Sequence, residues 1–159
     1  MTTGNILKEK TAYSAMDIAN WFLNYNYRLR ELEDEDTDNI SNLKLQKLLY
    51  YAQGSYLALR EKRLFDDDIV AWKHGPVVEN VYHKFKKFGA NGINEFDRQV
   101  NIDEDTEGIL VEVYNIFGKY SAWGLREMTH QEDPWKNAEP NHKISIDSIK
   151  RYFEENYVS

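Results

Sequence analysis

The sequence predicts a mainly α-helical fold: a single compact domain of about six helices with a minimal β element near residues 68–73 and 92–96. Three observations predict it. Apolar residues recur at helical spacing through most of the chain. Ser stands just ahead of several of these segments, where a side-chain oxygen can cap a helix. Extended-chain signals are confined to two short stretches. At 159 residues, 42% of them hydrophobic, with 11 Tyr and 4 Trp, the chain has the length and apolar content for one core. No internal repeat and no linker rich in Pro, Gly or Ser divides it. Residues 1–13 therefore read as an N-terminal tail and 14–158 as the domain.

The first helix is expected from Ser14 to about Leu32, with Ile18, Trp21, Phe22, Tyr25, Leu29 and Leu32 as its apolar stripe. Ser14 and Asp17, three residues on, make a capping box. "ELEDEDTD" (31–38) carries six acids and reads as a solvated loop that could meet a basic partner. Ser41 caps a second helix reaching about Arg60, with Leu45, Leu48, Leu49, Ala52, Tyr56 and Leu59 inward. Lys44, Lys47 and Tyr51 share another face of it. Gly54 inside that helix costs about 1 kcal/mol relative to Ala, which a closely packed neighbour would explain.

Ile69, Val70 and Trp72 favour a strand over 68–73, with "GINEF" (92–96) as its expected partner. Pro76 suits the first position of a third helix with Val78, Val81, Tyr82, Phe85 and Phe88 inward and Gly89 at its end. A fourth helix follows Asp103 and buries Ile109, Leu110, Val113, Ile116 and Phe117. Ser121 caps a short fifth helix carrying Leu125 and Met128. Residues 129–138 read as irregular, because Pro134 disfavours helix at Asp133. Ser145 caps the last helix, with Ile146, Ile149, Tyr152 and Phe153 inward.

Composition narrows the function. The net charge of −7 runs against the excess of Lys and Arg on which phosphate binding depends, so nucleic acid is not the expected partner. Absence of Cys removes disulfides and thiolate metal sites. No stretch has the apolar length of a membrane span, and the first residues lack the apolar core of a signal peptide, so the expected location is cytoplasmic. His74, His83, His130 and His142 have no i, i+4 pairing, and no metal or cofactor is expected. Phosphate-loop and nucleophile-elbow motifs are missing, and His74 has no partner carboxylate at a recognisable offset, so no catalytic residue is assigned. Protein binding is the better use of Trp72 and Trp135, which stand in irregular, Pro-containing segments. They serve there either as anchors of those segments or as partly exposed contacts.

Three segments carry a family resemblance: "NLKLQKLLYYAQGSYLA" (42–58), "LFDDDIVAWKHGPVVENVYHKF" (64–85) and "LREMTHQEDPWKNA" (125–138). In order and spacing they resemble the Panacea domain of SocA-like antitoxins and phage-associated, GepA-type proteins, over about residues 14–155. The resemblance implies a bacterial or prophage antitoxin that binds a toxin encoded nearby and blocks it by direct contact. For the SocA branch it also implies an adaptor delivering the toxin to a host protease. The positions it marks are Lys44, Gln46, Lys47, Tyr50, Tyr51, Trp72, Lys73, His74, Gly75, Pro76, Thr129, His130, Pro134 and Trp135. Gly75 and Pro76 are expected to build a corner. Lys44, Lys47, Tyr51, Lys73, His74 and His130 are candidates for contacts or for a buried polar network. The acidic loop looks longer than the family's compact connection. Two other readings stay open: a phage-encoded inhibitor of a host defence protein, and a nucleic-acid-binding regulator.

Overall fold

Five of the seven helices among the described residues begin at a capping side chain, four of them at the serines the sequence marks as caps and one at Asp103. The structure is a computed structural model and describes residues 11–32 and 37–158. Helix α1 (Ala15–Leu32) opens with the reciprocal bonds of a capping box: the Asp17 N–H donates to Ser14 Oγ and the Ser14 N–H to the Asp17 carboxylate. Ser41, Asp103, Ser121 and Ser145 accept the same kind of bond ahead of α2 (Asn42–Arg60), α4 (Glu104–Phe117), α5 (Ala122–His130) and α7 (Ile146–Asn156). Helix α3 (Glu79–Phe85) lacks a side-chain cap and runs into a 3-10 turn, Lys86–Phe88, closed at Gly89. The four-residue α6 (Asp133–Lys136) carries Pro134 in its first turn.

Helix α2 is the axis of the molecule. It packs against α1, α3, α4, α5 and α7, and twelve of its nineteen residues are buried, so it buries nearly its whole circumference rather than one stripe. The sequence-predicted stripe Leu45, Leu48, Leu49 and Ala52 lies in the core. Leu57 is buried in place of Leu59, which is exposed, as are Ile116 and Leu32. Gly54 meets the expected neighbour: a Cβ there would stand 2.3 Å from the ring of buried Phe153 in α7. Gly54→Ala, ordinarily a gain of about 1 kcal/mol in a helix, is here expected to destabilise by about 1–2 kcal/mol through overpacking. A shift of the urea midpoint to lower concentration checks it; a rise would mean the ring moves aside.

The β element differs from expectation. Strand β1 (Val70–Trp72) pairs antiparallel with β2 (Gly75–Val77) around the two-residue tip Lys73–His74. Residues 92–96 contribute only an isolated bridge, Gly92 to Ser41. Gly75, packed against the Lys47 stem, takes φ +118° and turns the chain back at once, so the nearest partner wins over a distant one. Pro76 is therefore a strand residue and not the start of α3, which begins at Glu79. The segment 129–138, expected to be irregular, holds the end of α5 and all of α6, because Pro134 lies in α6's first turn. Residues 33–36 of the acidic loop lie outside the described residues.

Candidate functional site

The sequence-predicted site residues fall into a buried layer and an exposed face. Lys47 and Tyr51 are completely buried, as is Tyr50, and Gln46 nearly so. Gln46 donates to Asn42 Oδ1 (3.0 Å) and accepts the Val78 N–H (2.9 Å), which ties the start of α2 to the exit of the hairpin. Lys47 Nζ donates to the Pro76 carbonyl at 3.1 Å. Burial, reinforced by the nearby Arg126 charge, pulls its pKa down to about 7. The Lys47 stem and Thr129 press on Gly75: a Cβ there would lie 2.6 Å from Lys47 Cε and 3.0 Å from Thr129 Oγ1. Only glycine suits that backbone angle and that space.

Between α5 and α6, the carboxylate of buried Glu132 accepts three phenols: Tyr50 at 2.9 Å, Tyr51 at 2.9 Å and Tyr157 at 2.6 Å. Burial raises its pKa, opposed by those three hydrogen bonds, and the three tyrosines are pushed up by burial and by the carboxylate beside them. The network joins α2, the α5–α6 junction and the C-terminal end of α7.

The exposed face surrounds the hairpin tip. Lys73 and His74 are exposed, and Arg126 Nε reaches His74 Nδ1 at 3.4 Å while its guanidinium lies over the Trp123 ring at 4.5 Å. Trp123 is 62% exposed. Trp135 donates from Nε1 to the Trp72 carbonyl (2.8 Å) and stacks on His130 at 3.9 Å, and both tryptophans are half-buried. Each is thus anchor and surface at once. Burial lowers the His130 pKa, and Arg126 adds to that. Trp72, Lys73, Trp135 and Lys136 line a slot of about 330 Å³ beside the tip.

A model of the family described as "Antitoxin SocA-like, Panacea domain" matches residues 45–136. The chain belongs to this family. The Panacea match covers α2 from Leu45, the hairpin, α3, α4, α5 and α6. "Antitoxin SocA" of Caulobacter vibrioides (strain NA1000 / CB15N) is 49% identical over 109 residues, which are 60% of this chain and 58% of that protein. The chain thus spans somewhat more than half of its length. No solved structure matches.

Within this Panacea chain, the residues marked by the three segments are mostly brought together. Gln46, Lys47, Tyr50 and Tyr51 form the floor, Gly75 and Pro76 the corner, and Thr129 and Pro134 are buried supports. Trp72, Lys73, His74, His130 and Trp135 form the face. Lys44 is not brought to it: its Nζ donates to the Gly118 carbonyl just past the end of α4 (2.5 Å). Sequence reasoning missed Glu132, Arg126, Trp123 and Tyr157 as site residues. Glu132 lies within the family segment 125–138, but nothing local tells a buried acid from a solvated one. Among the described residues no helix is long and apolar enough to cross a membrane, and no group of His, Cys, Asp and Glu could hold a metal ion.

Proposed function

We propose that this protein is an antitoxin that neutralises a toxin encoded beside it by direct contact, and that the face around Lys73–His74 makes that contact. The observation that carries the reading is the convergence of the three family segments on one hairpin, the first as its buried floor and the other two as the face around its tip. Their buried residues pack a hairpin and a short helix against α2, and beside the exposed Lys73 and His74 they leave Trp72, Trp135 and Arg126 partly open; Trp and Arg are types enriched at binding hot spots. A complex of ordinary size would bury about 1,600 Å² in total, enough to cover a toxin's active site. No bond is made or broken by the antitoxin in this mechanism. Delivery of the bound toxin to a protease is a separable second step, read as a shortened toxin lifetime when the antitoxin is present.

Co-expression with each neighbouring open reading frame tests the proposal. A neighbour that arrests growth alone, is harmless beside this protein and co-purifies with it is the expected result. The double variant Lys73→Ala, Trp123→Ala, at two exposed positions, should then weaken the complex by about tenfold or more while the melting temperature holds. The proposal fails if no neighbour is toxic and none co-purifies. The choice of surface fails if the double variant binds like wild type.

A further inference from the structure

A groove between α2 and α4 stands apart from the hairpin face. Six large hydrophobic residues are exposed among the described residues, and three of them, Leu59, Ile116 and Tyr157, line this one groove of about 600 Å³. Its floor is the buried Ile109, Val113 and Phe117. Leu59 and Ile116 continue the apolar spacing of their helices, yet 44% and 49% of their surface faces solvent. Apolar positions at core spacing left open along one channel are the mark of a surface that something else covers.

The rim says what. Glu104, Asp105 and Glu112 surround the groove, and the one cation among its described lining residues, Arg60, is already held by both Asp105 oxygens at 2.8 and 2.6 Å. Glu104 and Glu112 make no ion pair with any described residue. A second copy of this chain, of net charge −7, would bring acid against acid, and the same charge repels nucleic acid. We propose that the α2–α4 groove is a second docking surface, and that it takes a basic amphipathic helix of a protein partner. Leu-like side chains at i, i+3, i+4 and i+7 fill the channel, and Lys or Arg along the helix flanks meet Glu104 and Glu112. The inference goes beyond the toxin-binding reading and does not depend on it.

The test uses the full chain and a fluorescein-labelled synthetic peptide of about fifteen residues, with Leu at that spacing and Lys elsewhere, followed by anisotropy. Saturable binding is expected. Leu59→Ser with Ile116→Ser, which leaves the charge unchanged, should weaken it about tenfold. Glu104→Gln with Glu112→Gln, which leaves the shape nearly unchanged, should weaken it and flatten its salt dependence. All four residues are exposed, so unchanged melting curves are expected to accompany both losses. The proposal is overturned if a scrambled peptide of the same composition binds equally well, or if either double variant binds like wild type. Dimers in sedimentation that Leu59→Ser with Ile116→Ser dissociates would overturn it in favour of a second copy. Binding seen only after removal of residues 1–10 would overturn it in favour of the chain's own N-terminal segment. Toxin neutralisation stays intact in both doubles if the two surfaces are separate, so failure here is distinguishable from failure of the antitoxin reading.

Discussion

Replacing Glu132 with Ala is expected to lower the unfolding free energy by about 3–5 kcal/mol, read as a large drop in urea midpoint. Three phenols share this one carboxylate, and two of them, Tyr50 and Tyr51, are completely buried. Removing the acceptor leaves both hydroxyls without a partner away from water, at about 1–3 kcal/mol each, and adds a cavity. Tyr157 is 40% exposed and can turn to solvent, so its loss counts for less. Glu132→Gln keeps the volume, and a phenol can accept from the new amide, so it should cost much less than Ala. Equal losses for the two variants would mean that packing, rather than the shared acceptor, holds the junction together. Because the network carries the α5–α6 junction, the Ala variant should also weaken partner binding at temperatures where it remains folded.

The elements were legible wherever a local signal sufficed. Ser14, Ser41, Ser121 and Ser145 each needed only a few residues of context, because a capping bond spans three positions. Pairing was not. The sequence points the strand over 68–73 to 92–96, whereas the true partner follows two residues after β1, hidden because "GPV" reads as a helix start and not as a strand. The deciding feature, Gly75 at φ +118° against the Lys47 stem, is a tertiary contact with a residue on another element.

The site was legible by position and illegible by role. Lys44, Lys47 and Tyr51 share one face by spacing, which invites a common purpose. In the structure they serve three: Lys44 the end of α4, Lys47 the hairpin, and Tyr51 the Glu132 carboxylate. A helix enclosed on all sides gives every face a different neighbour, and spacing cannot say which neighbour comes. The same limit explains Leu59 and Ile116, whose apolar spacing promised burial that the rest of the described chain does not supply.

Lys47 makes the second large effect, and its signature is pH. Its amine has a pKa near 10.5 in an unfolded chain and about 7 in the folded one. A base whose folded pKa is lowered binds fewer protons when native, so stability rises with pH between the two values and is flat below the lower one. From about pH 7 to about pH 9.5, Lys47 alone should raise the unfolding free energy by roughly 3 kcal/mol. Above about pH 10 the buried tyrosines act oppositely: their raised pKa values mean the unfolded chain loses phenolic protons first, and stability falls. Lys47→Met keeps the stem against Gly75 and removes the titrating amine. Its urea midpoint should vary far less over that window than that of the wild type, and the difference isolates Lys47 from every other group. Parallel profiles would show that the amine stays charged in the fold, with water or a backbone shift satisfying it. The interior of the hairpin would then be wetter than the bond to the Pro76 carbonyl implies, and the packing of the hairpin against α2 would lose its main support.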